Sequence, residues 1–229
     1  LLDAWFVPRR VANMGYEARI SLFHGDRLDY RFCSPRYRVA RRPVAVGDLI
    51  EQARSIDAKR CQRLVLADAP LAHPRFSELV RALGEMGLSH LAIETDGAPL
   101  AADGAVASLE AAGVEKLFVV CGGIRKRVYE AVMHDESFTL AMQGIALAAK
   151  SAMDLYVVVP LMEWTEKDVE PLLDWLLEMP GTLKGFLLAP PEVAQVPPAA
   201  RKLLLPIAKQ AEIAARVFTT CGRNRVEYG

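Results

Sequence analysis

The stretch ISLFHGDRLDYRFCSP, residues 20–35, organises the rest of the chain. It begins as a buried strand over residues 20–23, passes into a polar loop and ends at a single cysteine. Inside the loop, Asp26, Tyr30 and Cys33 are spaced by four and then three residues, with an aromatic residue directly before the cysteine. A loop that follows a buried strand is where α/β proteins carry their chemistry, so this spacing is the first functional signal in the chain.

Composition limits the classes of protein to consider. With 229 residues, 52% of them hydrophobic, the chain is long enough to bury the core of one α/β domain. Its 28 basic residues balance 28 acidic ones, which gives no reason to expect a nucleic-acid partner. The cysteines lie far apart without a Cys-x-x-Cys pair, a spacing that suits a reducing cytosol. The apolar runs are too short to cross a bilayer and no leader is visible, so we expect a cytoplasmic protein without a membrane partner.

A repeating unit of apolar strand, polar loop and amphipathic helix follows a lead-in segment, residues 1–17. The pattern predicts strands at 18–23, 63–68, 90–95, 116–121, 154–160 and 185–190. It predicts helices at 46–57, 75–87, 103–113, 136–152, 165–179 and 198–216. Thr165 followed by Asp168 is typical of a helix N-terminus, and Gly87 and Gly113 stand where helices end.

Continuous apolar strands that alternate with helices indicate an α/β fold with a parallel sheet covered by helices. Six such units can form an open doubly wound sheet or a partial barrel, and periodicity does not choose between them. In both architectures the loops after the strand C-termini form the ligand-facing edge. We treat residues 18–229 as one domain.

The loop after the first strand resembles that of the radical S-adenosylmethionine (SAM) superfamily, which reads Cys-x3-Cys-x2-Cys. Here Asp26 and Tyr30 take two of the three cysteine positions and Cys33 keeps the third. The segment ADAPLAHPRF, residues 67–76, resembles the family's Gly-Gly-Glu-Pro-x-Leu-His-Pro-x-Phe. It keeps the Pro, His, Pro and Phe positions but has Ala-Asp-Ala, residues 67–69, in place of Gly-Gly-Glu, which in the family holds the amino group of SAM.

Further motifs follow in the family's order. Thr95-Asp96-Gly97 is similar to its Thr-Asn-Gly turn, and Cys121-Gly122-Gly123 stands where it has Ser-x-x-Gly. Residues 134–145 resemble its His-Asp…Ser-Phe…Gly-Ile stretch. The resemblance covers residues 18–190 and implies a partial (β/α)6 TIM-like barrel of the radical SAM type, with a parallel sheet inside and helices outside.

The altered loop determines which cofactors we expect. In the family, three thiolates hold a [4Fe–4S] cluster whose open iron binds SAM, and thiolates suit such clusters because they are soft, charged ligands. Asp26 is a hard oxygen donor, and the phenol of Tyr30 must lose a proton with a pKa of about 10 before it binds well. We therefore expect no metal and no cofactor; SAM or a [4Fe–4S] cluster would be expected only if the site were not degenerate.

Polar residues at the strand ends are candidate pocket residues. His24 points towards the same loop as Asp26, and these two with Cys33 could bind a divalent metal, although a solvated loop acid and a buried thiol are the simpler interpretation. Asp68 and Glu94 could act together in acid–base chemistry or bind an amine, or each could cap a helix.

The turn Cys121-Gly122-Gly123 is also a candidate, because two glycines after a strand let the backbone approach a phosphate or ribose. His73 and Pro74 most simply shape the turn into the second helix. The run Arg125-Lys126-Arg127 is most simply a solvated face.

Three hypotheses follow for function. In the first, the chain is a non-catalytic radical-SAM-like barrel that binds a peptide, a small molecule or a protein partner, such as an active radical SAM relative. In the second, it is an enzyme with repurposed chemistry at the barrel mouth, using Asp68, Glu94 or His24, or binding SAM or a nucleoside without a standard cluster. In the third, it is a structural subunit whose pocket is filled by side chains.

Overall fold

The computed structural model describes residues 16–24, 42–67, 70–133, 136–191 and 198–229. The predicted loop residues Asp26, Tyr30 and Cys33, the candidate Asp68 and most of the lead-in segment lie outside these ranges.

The strands of the described chain are β1 (Tyr16–Ser21), β2 (Phe23–His24), β3 (Arg42–Pro43), β4 (Cys61–Ala67), β5 (Leu91–Thr95), β6 (Val114–Val120), β7 (Asp154–Pro160), β8 (Leu183–Ala189) and β9 (Glu227–Tyr228). Seven of them form one central parallel sheet in the order β1-β4-β5-β6-β7-β8-β9, and the other two, β2 and β3, form an antiparallel ribbon. All six predicted strands are present. The first begins at Tyr16, inside the segment that the sequence assigned to a lead-in.

The helices are α1 (Val46–Arg54), α2 (Phe76–Glu85), α3 (Ala105–Ala111), α4 (Lys126–Met133), α5 (Phe138–Ala148), α6 (Val169–Glu178) and α7 (Ile207–Asn224). The predicted C-terminal glycines are confirmed: Gly87 and Gly113 follow α2 and α3 with φ of 77° and 79°, the left-handed region that glycine occupies without strain.

Two helix predictions are wrong in position. The last helix spans Ile207–Asn224 rather than 198–216, because Pro206 cannot continue a helix from the preceding residues and stands instead at its N-cap. The helix predicted from 165 begins at Val169, with Asp168 at its N-cap position but without a side-chain capping bond. Thr165 instead accepts from the Met162 amide at 3.0 Å and donates to the Pro160 carbonyl at 2.6 Å.

Helix α4 was missed by the sequence analysis. Its first turn overlaps the basic run that was interpreted as a solvated face, and the helix is only 8 residues long. Its buried residues, Tyr129, Val132 and Met133, nevertheless have the spacing of one helical face.

The two faces of the sheet differ in character. The outer face packs on the helices and is apolar, as at Leu117 and Val119, which are 0% exposed. Alternation along the strands places polar and aromatic side chains on the opposite face. We call this the inner face, and its members include Glu17, Arg19, Arg63, Glu94, Lys116, Phe118, Asp154 and Tyr156. A parallel sheet with helices outside and a lined inner face is consistent with the partial barrel that the resemblance implied.

Candidate functional site

The N-terminal end of the inner face is filled by side chains. The rings of Phe118 and Tyr156 stack with centroids 5.0 Å apart, and Arg63 and Lys116 lie over them at 5.9 and 5.2 Å. Aromatic rings attract such cations through their negative faces. Gly185 gives the Tyr156 ring its room, since a Cβ there would lie 2.3 Å from Cδ1 of the ring. Rings, cations and the glycine therefore pack together on the inner face of β4, β6, β7 and β8.

Charges at this end are paired. Arg63 lies 2.9 Å from Glu17, and Lys116 lies 3.6 Å from Asp154. Burial raises the pKa of Glu17, although Arg63 and other cations oppose that shift. The Tyr156 hydroxyl donates to Glu227 on β9 at 2.8 Å, and burial together with this carboxylate raises the tyrosine pKa well above its ordinary value. Tyr156 thus acts as a neutral hydrogen-bond donor that fixes the last strand.

Arg19 and Glu94 form a further ion pair on the inner face, where Glu94 is the strand partner of Phe118. Nη2 of Arg19 donates to Glu94 at 2.6 Å across the intervening strand β4. Glu94 is 1% exposed. The predicted candidate Glu94 is thus an ion-pair partner of Arg19.

Arg19 was not singled out from the sequence. The signal was present, because Glu17, Arg19 and Ser21 place polar side chains at every second position of a strand that otherwise reads as buried. In a strand covered by helices on one face, that alternation marks the other face as polar.

The turn after β5 has the shape that the sequence predicted. Thr95 Oγ1 accepts from the Gly97 amide at 3.3 Å, and Asp96 Oδ1 accepts from the Ala98 amide at 3.2 Å. Gly97 has φ of 89°. Helix α5 packs directly on this turn, since a Cβ on Gly144 would lie 2.0 Å from the Gly97 carbonyl oxygen. Gly97 and Gly144 both belong to motifs of the resemblance, and they pack directly against each other.

The turn after β6 contains the candidates Cys121, Gly122 and Gly123. A Cβ on Gly122 would lie 2.8 Å from Met133 of α4, and one on Gly123 would lie 2.6 Å from a carboxylate oxygen of Asp168. Both glycines thus have a packing reason that requires no ligand.

Asp168 fixes this turn from the neighbouring loop. Its carboxylate is fully buried, accepts from the Arg125 amide at 3.0 Å and pairs with the Arg125 guanidinium. The basic run around Arg125 had predicted a solvated face. The contact joins residues 43 positions apart, so no local pattern reveals it.

His73 has the turn-shaping role that the sequence predicted. It is 4% exposed; Nε2 lies 2.9 Å from the Val44 carbonyl, and Nδ1 accepts from the Arg75 amide at 3.2 Å. A carbonyl can only accept, so this bonding assigns the proton to Nε2. Its ring packs edge-on against Phe23. The candidate His24 lies on β2, where its backbone pairs with Arg42.

The described cysteines do not make a cluster site. Cys61 begins β4, at the N-terminal end of the parallel strands, and burial raises the pKa of its thiol. Burial raises the pKa of Cys121 to about 12 and that of Cys221, within α7, to about 11. None of these thiols belongs to a group of three ligating side chains among the described residues, whereas the cluster that the resemblance implies is held by three thiolates.

Among the described residues, no three His, Cys, Asp or Glu side chains are grouped closely enough to hold a metal ion. None of the helices described has both the length and the apolar composition needed to cross a membrane.

Comparisons with known proteins identify the fold. No family model matches the sequence, and no curated protein matches it. SuiB from Streptococcus suis superposes with a TM-score of 0.71 at 10% identity, over 94% of this chain and 49% of SuiB. The coproporphyrinogen III oxidase HemN from Escherichia coli, a radical SAM enzyme, superposes with a TM-score of 0.53 at 13% identity, over 78% of this chain and 45% of HemN.

The chain has a radical-SAM-like fold. The hydrogenase maturase HydG from Carboxydothermus hydrogenoformans agrees, with a TM-score of 0.64 at 14% identity over 86% of this chain and 49% of HydG. The chain spans about half the length of these structures. Periodicity had left the choice between a partial barrel and an open sheet undecided. The radical-SAM-like fold confirms the partial barrel that the resemblance implied.

Proposed function

We propose that this radical-SAM-like domain does not hold a [4Fe–4S] cluster or cleave SAM, and that it acts as a non-catalytic binding or partner subunit. The observation that carries the proposal is the donor set. The loop that resembles the family's cluster loop offers Asp26, Tyr30 and Cys33. One thiolate, one hard carboxylate and one phenol do not fit a site that needs three soft ligands.

The rest of the described chain supplies no replacement ligands. Cys121 is the described cysteine that ends a strand at the ligand-facing edge, and its thiol is fully buried and donates to the Gly123 carbonyl at 3.5 Å. Deprotonating it would leave a charge in an apolar environment, which is why its pKa is so high. No reaction step is therefore assigned to a cluster in this chain.

A binding role is supported by the retained scaffold. The glycine contact between α5 and the β5 turn, and the buried Asp168 that holds the β6 turn, keep the ligand-facing edge in shape. SuiB has been solved with SAM bound and with its precursor peptide SuiA bound. We propose a peptide or protein partner for this chain, with an active radical SAM relative as one such partner.

Anaerobic reconstitution with iron and sulfide tests the proposal. We expect the wild-type chain to bind no stoichiometric iron and to show no cluster absorbance or, after reduction, cluster EPR signal. The matched control is the double variant Asp26→Cys/Tyr30→Cys, which restores Cys-x3-Cys-x2-Cys with Cys33 and is expected to gain those signals. A stoichiometric [4Fe–4S] cluster in the wild-type chain would overturn the proposal.

A second candidate function is the binding of SAM or a nucleoside without a standard cluster. The observation that favours it is the preserved glycine geometry of the β5 and β6 turns, which resemble motifs of the family's SAM site. Titration calorimetry with SAM and with adenosine measures it directly. Saturable binding would favour this candidate, and no heat with either ligand would remove it.

A further inference from the structure

The inner face carries an arginine whose hydrogen-bonding capacity is only partly used. Nη2 of Arg19 donates to Glu94 at 2.6 Å, and the Arg19 side chain is 15% exposed. Its Nε and Nη1 atoms are buried, and neither has a hydrogen-bond acceptor among the described residues. Two donor atoms of one buried guanidinium therefore lack an acceptor among the described residues of the inner face.

Buried donors of this kind require an explanation. A guanidinium has five N–H donors in a rigid plane, and a charged donor that is buried without an acceptor is among the more costly defects of a folded protein. The great majority of buried polar groups are satisfied for that reason. An acceptor supplied by a bound ligand would complete the hydrogen bonding of Arg19.

The charges of the inner face decide which acceptor fits. Arg19 is already neutralised by Glu94, as Arg63 is by Glu17 and Lys116 by Asp154. No unpaired cation remains among these three pairs to balance an anion. An anion at Arg19 would lie close to the Glu94 carboxylate and be repelled by it. A neutral oxygen acceptor satisfies the donors without that cost.

We infer that Arg19 binds a neutral amide carbonyl of a ligand on the inner face. The surroundings suit such a group, because Val65 and Ala67 of β4 lie between the strands of Arg19 and Glu94 and are apolar and nearly fully buried. Amide carbonyls of this chemistry occur in a peptide segment and in a nucleobase. The inference rests on the proposed binding function and names the chemistry of its ligand.

An NMR titration tests the inference on the full chain. The probes are N-acetylalanine N′-methylamide for a peptide amide, uridine for a nucleobase amide and sodium acetate for an anion, each followed through the Arg19 Nε–H signal. We expect the methylamide or uridine to shift this signal saturably and acetate not to shift it. The preferred neutral probe then identifies the source of the carbonyl.

Two variants separate the hydrogen bonds from the charge. Arg19→Lys keeps a cation opposite Glu94 but removes the planar donors, and we expect it to weaken binding of the preferred probe about 10-fold or more, followed through the shifts of backbone amides near the site. Arg63→Lys makes the same change on the same face at a guanidinium that has no nitrogen both buried and without a partner, and we expect unchanged binding. The inference is overturned if Arg19→Lys binds as tightly as wild type, if acetate binds at Arg19 at least as tightly as the neutral probes, or if neither neutral probe saturates.

These outcomes are separate from those of the iron reconstitution. Amide binding at Arg19 together with an assembled cluster would sustain the inference and overturn the proposed loss of the cluster. Absence of both amide binding and cluster would overturn the inference alone.

Discussion

The contact between α5 and the β5 turn makes a sharp prediction for Gly144→Ala. A Cβ at this position would lie 2.0 Å from the Gly97 carbonyl oxygen and 3.0 Å from Cβ of Leu100. The first obstacle is backbone and cannot rotate away. To reach an ordinary contact of about 3.2 Å, the helix must move roughly 1 Å away from the turn, which strains a close-packed interface.

Two effects of opposite sign compete in this variant. Alanine is better than glycine inside a helix by about 1 kcal/mol. Overpacking costs about 1–3 kcal/mol and more where the obstacle is backbone. Because the obstacle here is a carbonyl oxygen, we expect overpacking to win, with a net loss in the free energy of unfolding of about 1–3 kcal/mol.

The matched control is Gly84→Ala in α2. It makes the same substitution inside a helix, but nothing lies within 4 Å of the added Cβ. We expect it to stabilise the protein by about 0.5–1 kcal/mol. Urea unfolding followed by circular dichroism measures both variants. If Gly144→Ala were as stable as Gly84→Ala, the close approach of α5 to the turn would be wrong.

Three further predictions concern other parts of the site. Asp168→Asn should lower the free energy of unfolding by about 1–2 kcal/mol in the same assay, because the buried side chain loses its ion pair with Arg125; the loss is moderate because Arg125 is more than half exposed and water replaces part of the interaction. An unchanged free energy of unfolding would contradict the anchoring role of Asp168. Because the pKa of Tyr156 is raised in the folded protein, its contribution to stability is complete below its unfolded pKa of about 10 and is lost as pH rises above that value. The melting temperature should therefore fall more between pH 8 and pH 11 in the wild-type chain than in Tyr156→Phe, and parallel profiles of the two proteins would refute this. Iodoacetamide at pH 8 should label Cys121 far more slowly in the folded protein than in urea, because burial raises the pKa of this thiol to about 12. Peptide mass spectrometry measures both rates, and equal rates would show an accessible thiolate.

Local patterns in the sequence were sufficient for the six main strands and for most of the helices between them. Apolar runs bounded by turn residues predicted the six main strands, since a strand covered on both faces must be apolar along most of its length. Gly87 and Gly113 marked helix ends because the left-handed conformation needed there is inexpensive only for glycine. The order of the motifs, through their resemblance to the radical SAM superfamily, predicted the partial barrel.

The contacts that define the site were decided by tertiary structure. Arg19 and Glu94 are 75 positions apart, and Arg125 and Asp168 are 43 apart, so each pair exists only through the register and packing of separate elements. The sequence identified Glu94 as a polar residue at a strand end, but the choice between acid–base partner, helix cap and ion pair required knowing which strand lies across β4. Strand β9 was missed for the same reason, because two residues form a strand only when a neighbouring edge offers them hydrogen bonds. Local propensity fixes how a segment is shaped, whereas long-range packing fixes which side chains meet.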